Sequence, residues 1–295
     1  MKYALVNGRK AKARRGLAAI CPGCGAPMVA KCGPRVIHHW AHKARSNCDP
    51  WWENETDWHR EWKSHFPEEC REVSHTAPDG EIHRADIKTP TGIVIEVQHS
   101  ALSDEEREAR ERFYGNLIWI LDGRPFRKSF ELGWMLPDPE SSGFEDIVWG
   151  PYVRNRYRSF PRNYDRPPHA FWLISEAARD YPGLTKANID TVMPPGAMVQ
   201  IHGTSPELEA QVQASYTGHH QFYWTRPRRT WLDANSPVYI DFGDEFLYRL
   251  EEYGATRRLC VRLVAKPKLV YDAMVERRAE DIATRFYPIS APNGG

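Results

Sequence analysis

The chain has 295 residues, with 40 lysines and arginines against 39 aspartates and glutamates, for a formal net charge of +1. At roughly 100–200 residues per domain, this length makes one large domain or two ordinary ones. A hydrophobic content of 41 % with no run of ~18 apolar residues excludes a membrane-embedded chain, and the near-neutral balance excludes a uniformly cationic nucleic-acid binder.

The charge is divided by region. Residues 1–50 hold ten Lys/Arg and a single acid, Asp49, whereas residues 51–145 hold 11 Lys/Arg and 21 Asp/Glu. A basic head before an acidic middle is the asymmetry expected of nucleic-acid contact beside a cation site. The opening MKYALVNGRKAKARRG lacks the apolar segment of a secretory signal, so a cytoplasmic location is expected. Four of the six cysteines, Cys21, Cys24, Cys32 and Cys48, fall in the first 50 residues. In a reducing compartment such a cluster points to metal rather than to disulfides.

The first expected element is therefore a zinc-binding module over residues 1–50. Cys21-Pro22-Gly23-Cys24 presents two thiolates from one tight turn, and zinc wants four N or S ligands in a tetrahedron. The second pair comes from His39, His42 and Cys48. The favoured set is Cys21, Cys24, His39 and Cys48, with His42 as the alternate and Cys32 and His38 as competitors. The head's positive charge also suits phosphates.

From Trp51 to Phe66 the pattern is helical, with Trp51, Trp58, Trp62 and Phe66 as an apolar stripe. Glu55, His59 and Lys63, four apart, share the adjoining face. Glu81–Lys88 reads as a strand ending near Asp86, Thr89–Gly92 as a turn and Ile93–Gln98 as the partner strand. Alternation places Val94, Glu96 and Gln98 on one face. Ser103 and Glu106 form a capping box opening a helix to about Tyr114, with Glu106/Arg110 and Glu108/Arg112 pairs. Leu117–Leu121 is a short buried strand. The order over residues 51–122 is α-β-β-α-β.

Acids on two neighbouring strands, Asp86 and Glu96, with Glu55 from a packed helix, offer oxygen ligands of the kind Mg²⁺ or Mn²⁺ takes. Such an ion polarises a phosphodiester, stabilises the leaving oxygen and activates water. A buried, unpaired carboxylate on a sheet is otherwise costly.

An acid in one strand followed by Glu-x-Lys/Gln in the next, within this order, resembles the PD-(D/E)xK nuclease superfamily. More closely, the chain is similar to the competence protein CoiA family. The resembling residues are CPGC (21–24), HWAH (39–42), Cys48-Asp49, Glu53–Glu55, His59, His83–Asp86, Ile95–Ser100 and Trp119–Asp122. They span residues 1 to about 125; the C-terminal half matches only loosely, around Val238–Gly243. The resemblance implies a cytoplasmic DNA-processing role and a metal-dependent nuclease core. Here Gln98 stands where the superfamily most often has lysine. Glutamine can orient water but is no useful base, so His59, Lys63 or Lys88 is expected to supply charge from elsewhere. Arg84 suits a phosphate or carboxylate, and His99 and Ser100 either bond phosphate or cap the strand.

After residue 140 the expected strands are Ala170–Ile174, Met198–His202, Pro237–Phe242 and Leu259–Val264. Helices are expected to start near Ser175, Ser205, Asp244 and Tyr271. Arg154, Arg156, Arg158, Arg162 and Arg166 interleave with Tyr152, Tyr157, Phe160 and Tyr164, and Trp224–Trp231 repeats the theme. Arginines hold phosphates while rings stack on unpaired bases.

The expected architecture is α/β of the α+β kind. It comprises a zinc-binding module (1–50), a PD-(D/E)xK restriction-endonuclease-like domain (51–140) and an α+β, DNA-contacting C-terminal domain (141–295). The expected activity is Mg²⁺- or Mn²⁺-dependent DNA endonuclease, on single-stranded or branched DNA, with Zn²⁺ structural. Glu55, Asp86 and Glu96 ligate the ion, and His59 and Gln98 complete the catalytic set. Lys63, Arg84, Lys88, His99, Arg156 and Arg158 contact DNA. The alternatives are a non-catalytic DNA-binding accessory factor on a degenerate nuclease fold, and an interaction module with protein partners in a recombination or defence assembly. No membrane partner is expected.

Overall fold

The structure, a computed structural model, describes residues 1–35, 37–44, 48, 51, 55–77, 80–141, 144, 147–149, 171–185, 188, 192, 206–254 and 258–282. The chain packs as two compact units, Met1–Ile120 with Val270–Asp281, and Leu121–Leu269 with Ile282–Gly295. Residues 1–50 and 51–120 both lie in the first of these.

The first unit opens with five strands: β1 (Tyr3–Val6), β2 (Arg9–Lys12), β3 (Ala18–Ile20), β4 (Pro27–Lys31) and β5 (His39–His42). They form one antiparallel sheet in the order β2-β1-β3-β4-β5. The β1–β2 register pairs Val6 with Arg9, which leaves only Asn7 and Gly8 in the loop. Both take positive φ, 52° and 74°. A two-residue hairpin turn that matches strand twist needs this, and Asn-Gly adopts it at low cost. The core under the sheet is small: Ala4, Ala13, Ala19, Cys21, Met28 and Trp40.

A helix follows, α1 (Asp57–Ser64), shorter than the sequence pattern suggested. Thr56 ends it at the N-terminal side: its hydroxyl accepts the His59 N–H while the His59 ring accepts the Thr56 N–H. Trp58, Trp62 and Phe66 are buried, as their spacing requires. Then come β6 (Arg71–Thr76), β7 (Ile82–Lys88), β8 (Val94–Gln98), α2 (Asp104–Tyr114, capped by Ser103) and β9 (Leu117–Asp122). The four strands lie in the order β9-β8-β7-β6, with β6–β7 and β7–β8 antiparallel. The sequence pattern missed β6, whose mostly polar residues hide its strand character. Asp86 stands inside β7 rather than at its end. β8 and β9 are buried along their whole length, so the two-faced alternation expected of β8 becomes burial on both sides.

The second unit contains β10 (Phe130–Met135), the antiparallel pair β11 (Ile147–Trp149) and β12 (Phe171–Leu173), α3 (Ile174–Asp180), α4 (Pro206–Ala214), β13 (His219–Trp224) and α5 (Arg229–Leu232). β14 (Val238–Asp241), β15 (Phe246–Tyr253) and β16 (Arg258–Ala265) follow. α6 (Lys266–Val275), whose residues from Val270 onward belong to the first unit, starts five residues before the expected Tyr271. The main sheet here runs β10-β13-β16-β15-β14. The helix expected from Asp244 is wrong. Leu, Glu and Arg there favour a helix locally, but the segment pairs with β14 on one side and β16 on the other along its length, and that pairing overrides propensity. The expected strand Met198–His202 lies outside the described residues.

One buried histidine in this unit has a consequence for stability. His220 donates from Nδ1 to the Gly133 carbonyl (3.1 Å) and shares a 2.6 Å hydrogen bond between Nε2 and the Tyr216 hydroxyl. Burial, only partly opposed by the Gly133 bond, pushes its pKa down to about 4. An unfolded histidine titrates near 6.5, so between those values the unfolded chain binds more protons. This contribution is fully present above about pH 6.5 and is lost as pH falls toward 4, a change of about 3 kcal/mol. Urea melts at pH 7 and pH 5 should show a clear loss at the lower pH that shrinks in His220→Gln. An undiminished loss in that variant would exclude His220 as its source.

The fold as a whole is α+β, with sheets dominant and helices few. No helix among the described residues is long and apolar enough to cross a membrane.

Candidate functional site

Two clusters in the first unit carry chemistry. In the first, Cys21, Cys24, His42 and Cys48 bring their ligand atoms within 4.8 Å of one another. Cys21 Sγ lies 3.5 Å from Cys48 Sγ, and Cys24 Sγ lies 3.4 Å from His42 Nε2. Zn–S bonds of ≈ 2.3 Å set tetrahedral edges of about 3.7 Å, so the donor set is compatible with structural zinc. The turn holding it is closed by Gly25, whose N–H donates to the Cys21 carbonyl at φ +69°. Burial and the neighbouring Cys24 and Cys21 push the Cys48 thiol up to about 12. A thiol held so high gives up its proton readily only when a cation sits beside it.

The favoured ligand His39 is corrected to its alternate, His42. In an extended strand, residues two apart share a face. His42 shares the face of Trp40, which is buried in the core that holds Cys21. His39 is an odd number of residues from Trp40, so it faces away and donates from Nδ1 to the Ile37 carbonyl (2.8 Å). Knowing that Trp40 must be buried would have settled this from sequence.

The second cluster is a group of carboxylates around one ammonium. Lys63 Nζ lies 2.5 Å from Glu55 Oε1, 3.3 Å from Asp86 Oδ1 and 3.6 Å from Glu72 Oε1. Glu55 precedes α1 rather than lying in it, yet still reaches Lys63. Burial works against the charge on Lys63, but Asp86, Glu72 and Glu55 outweigh it and hold its pKa above the ordinary value. Burial likewise opposes ionisation of Asp86, but Lys63 and the Val97 N–H, which donates to Asp86 Oδ2 (3.1 Å), hold its carboxyl below the usual range.

Glu96 stands next to this group. Its Oε1 accepts the Asp86 N–H (3.2 Å), and its Oε2 pairs with Arg110 Nη1 (3.1 Å) from α2. Arg110 also reaches Glu106 and the Trp51 carbonyl. The Gln98 amide donates to Ser100 O and Oγ, each at 3.2 Å. Sequence reasoning missed Glu72. It is buried at φ 48° in β6, and its Oε2 accepts the Lys2 N–H (3.1 Å), so it also ties the first sheet to the second.

Glu55, His59, Lys63, Glu72, Asp86, Glu96, Gln98 and Arg110 line a cavity of about 790 Å³. Its other walls come from residues 1–39 together with Arg60 and Arg84, and His39 lines it rather than the metal cluster. Lys88 is directed elsewhere, with Nζ donating to His75 Nδ1 (2.8 Å). The His99 ring lies 6.2 Å from that of His59. Arg156 and Arg158, with the rest of the arginine-aromatic stretch from 151 to 170, lie outside the described residues.

Carboxylate oxygens of Glu55, Glu72 and Asp86 converge on a single cationic centre. That centre is the Lys63 ammonium. Among the described residues, the Cys₃His cluster alone has three or more His, Cys, Asp or Glu ligands close enough to share an ion.

No curated protein and no solved structure matches the chain. Residues 7–50 match the family described as competence protein CoiA, N-terminal domain. All four residues of the Cys₃His cluster, and Arg14 and Arg35 of the cavity wall, lie inside that match. This N-terminal domain supports the chain's membership of the competence protein CoiA family.

Proposed function

We propose that, within the competence-related role its family implies, the protein is a metal-dependent DNA endonuclease with a PD-(D/E)xK-type core. The observation that carries this reading is the placing of Asp86 and Glu96 on adjacent strands, joined by the Asp86 N–H to Glu96 Oε1 bond, in a cavity that lysines and arginines also line. Asp86 and Glu96, with Glu55, would hold the divalent ion. When bound, such an ion polarises the scissile phosphodiester and lowers the pKa of attacking water. Lys63 keeps Asp86 ionised at neutral pH. Gln98, its amide nitrogen held by Ser100, is suited to orient water, and Arg84 to hold a phosphate at the rim.

The test is nicking of single-stranded, branched and duplex DNA with Mg²⁺ or Mn²⁺. Asp86→Asn and Glu96→Gln should each reduce the rate by at least about 10²-fold, as loss of several kcal/mol of charge stabilisation requires. Equal rates in wild type and both variants would sink the reading.

A second reading has its own observation. The carboxylates already have protein cations as partners, Lys63 for Glu55 and Asp86 and Arg110 for Glu96, as suits a DNA-binding accessory factor on a degenerate nuclease fold. Tight DNA binding without cleavage on any of these substrates would favour it.

A further inference from the structure

We propose that the DNA backbone is held by the N-terminal sheet, through Arg14 and Arg35, which line the same cavity as the carboxylates of β7 and β8. This deepens the DNA-processing reading above and rests on it, but it assigns phosphate binding to residues outside the nuclease-like core.

Eight lysines and arginines line the cavity, against four carboxylates. The carboxylates are taken up internally: Lys63 serves Glu55, Glu72 and Asp86, and Arg110 serves Glu96. Two of the remaining cations are also committed, Arg60 to Asp57 and Lys12 to Glu68. Among the described residues, neither Arg14 nor Arg35 has an ion-pair partner, and both are exposed. Two exposed arginines that line a concave site and are not paired to its acids, in a lining where cations outnumber carboxylates eight to four, leave positive charge available to an anion.

The Arg14 backbone is held in place. Arg14 follows Ala13, which is buried in the core of the sheet, and its carbonyl accepts the Leu17 N–H (3.2 Å). Arg35 lies between β4 and β5, the strand that carries the metal ligand His42. The guanidinium fork matches two oxygens of a phosphate, which favours arginine over lysine for this task. A diester backbone gripped by these arginines would lie in the same cavity as Asp86, Glu96 and Gln98. The basic head and the acidic middle of the sequence thus become two walls of one cavity.

The experiment measures binding of a fluorescein-labelled oligodeoxynucleotide as a function of salt, without divalent ions. Wild type is compared with Arg14→Ala/Arg35→Ala and with Arg9→Ala/Arg15→Ala, which removes the same charge from the same sheet outside the cavity. The first pair should weaken affinity at least about tenfold and flatten the log–log salt slope by about 1.4, the value for two lost single-strand phosphate contacts. The control pair should change affinity less than about threefold, and Arg14→Lys/Arg35→Lys should recover part of the loss. Equal effects of both alanine pairs, or none from the first, would overturn the proposal. The cleavage reading fails separately: binding that depends on Arg14 and Arg35 with no cleavage keeps the wall and removes the endonuclease. Cleavage undiminished in the double variant does the reverse.

Discussion

Stripping zinc from the Cys21, Cys24, His42, Cys48 cluster is expected to unfold the N-terminal sheet. The core beneath that sheet is Ala4, Ala13, Ala19, Cys21, Met28 and Trp40. Three of those six side chains are alanines, so little apolar surface is buried, and small cores of this kind depend on a metal or a cross-link. Structural zinc contributes about 10–16 kcal/mol of apparent binding free energy in isolated zinc modules. Purified protein should hold one zinc per chain, and a strong chelator should lower the melting temperature and erase amide protection in residues 1–42. Cys48→Ser should do the same without chelator, whereas Cys70→Ser and Cys32→Ser, outside the cluster, should retain the metal. Protein without stoichiometric zinc, whose melt ignores the chelator, would rule out a structural metal. Because this sheet also walls the cavity, chelation should weaken oligonucleotide binding in parallel.

Lys63→Met is the second substitution expected to have a large effect, for the opposite reason: it removes a charge from the protein's own interior. Lys63 and Glu72 are buried, and three carboxylates converge on the ammonium. Removing one partner of a buried ionic group leaves the others uncompensated, at a cost of about 3–5 kcal/mol. The pH dependence should also change sign. In wild type the Asp86 carboxyl is held below the usual range. Its stabilisation is present above about pH 4, the unfolded value, and is lost as pH falls through the lower folded value. In Lys63→Met the crowded carboxylates repel one another and titrate above their unfolded values, so the folded state binds the extra protons. The variant should therefore regain stability as pH falls from 8 to 5. Urea melts across that range measure this, and a loss below about 1 kcal/mol with no change of slope would show that the carboxylates do not depend on Lys63.

Much of the local structure was legible because local rules govern it. The cysteine pair in one turn, the strands flanking Thr89–Gly92 and the Ser103 cap all follow from neighbours a few residues apart. The helix after Trp51 was legible only in its buried stripe: Thr56 stops it at Asp57, a boundary that the stripe does not encode. His39 and His42 could have been separated by strand parity, since His42 shares the face of the buried Trp40. Glu72 had no such signal, because a single acid in a mostly polar strand looks like a solvated residue. β15 failed for a related reason: its local preference is helical, and only two flanking strands make it extended.

By itself, the sequence determined the chemical inventory of this protein. It specified a cluster of thiols with a CxxC turn, two acids on paired strands with Gln98 two residues after the second, and a positive head before an acidic middle. Only the tertiary structure decided how the charges are used. Lys63 meets Asp86 across 23 positions of chain and Arg110 meets Glu96 across 14, and such pairings depend on strand register and helix docking. The same packing brings Arg14 and Arg35 into the lining of one cavity with those acids. Spacing along a chain constrains ligands that share a turn or a strand, but charges drawn from separate elements are matched only when the elements pack.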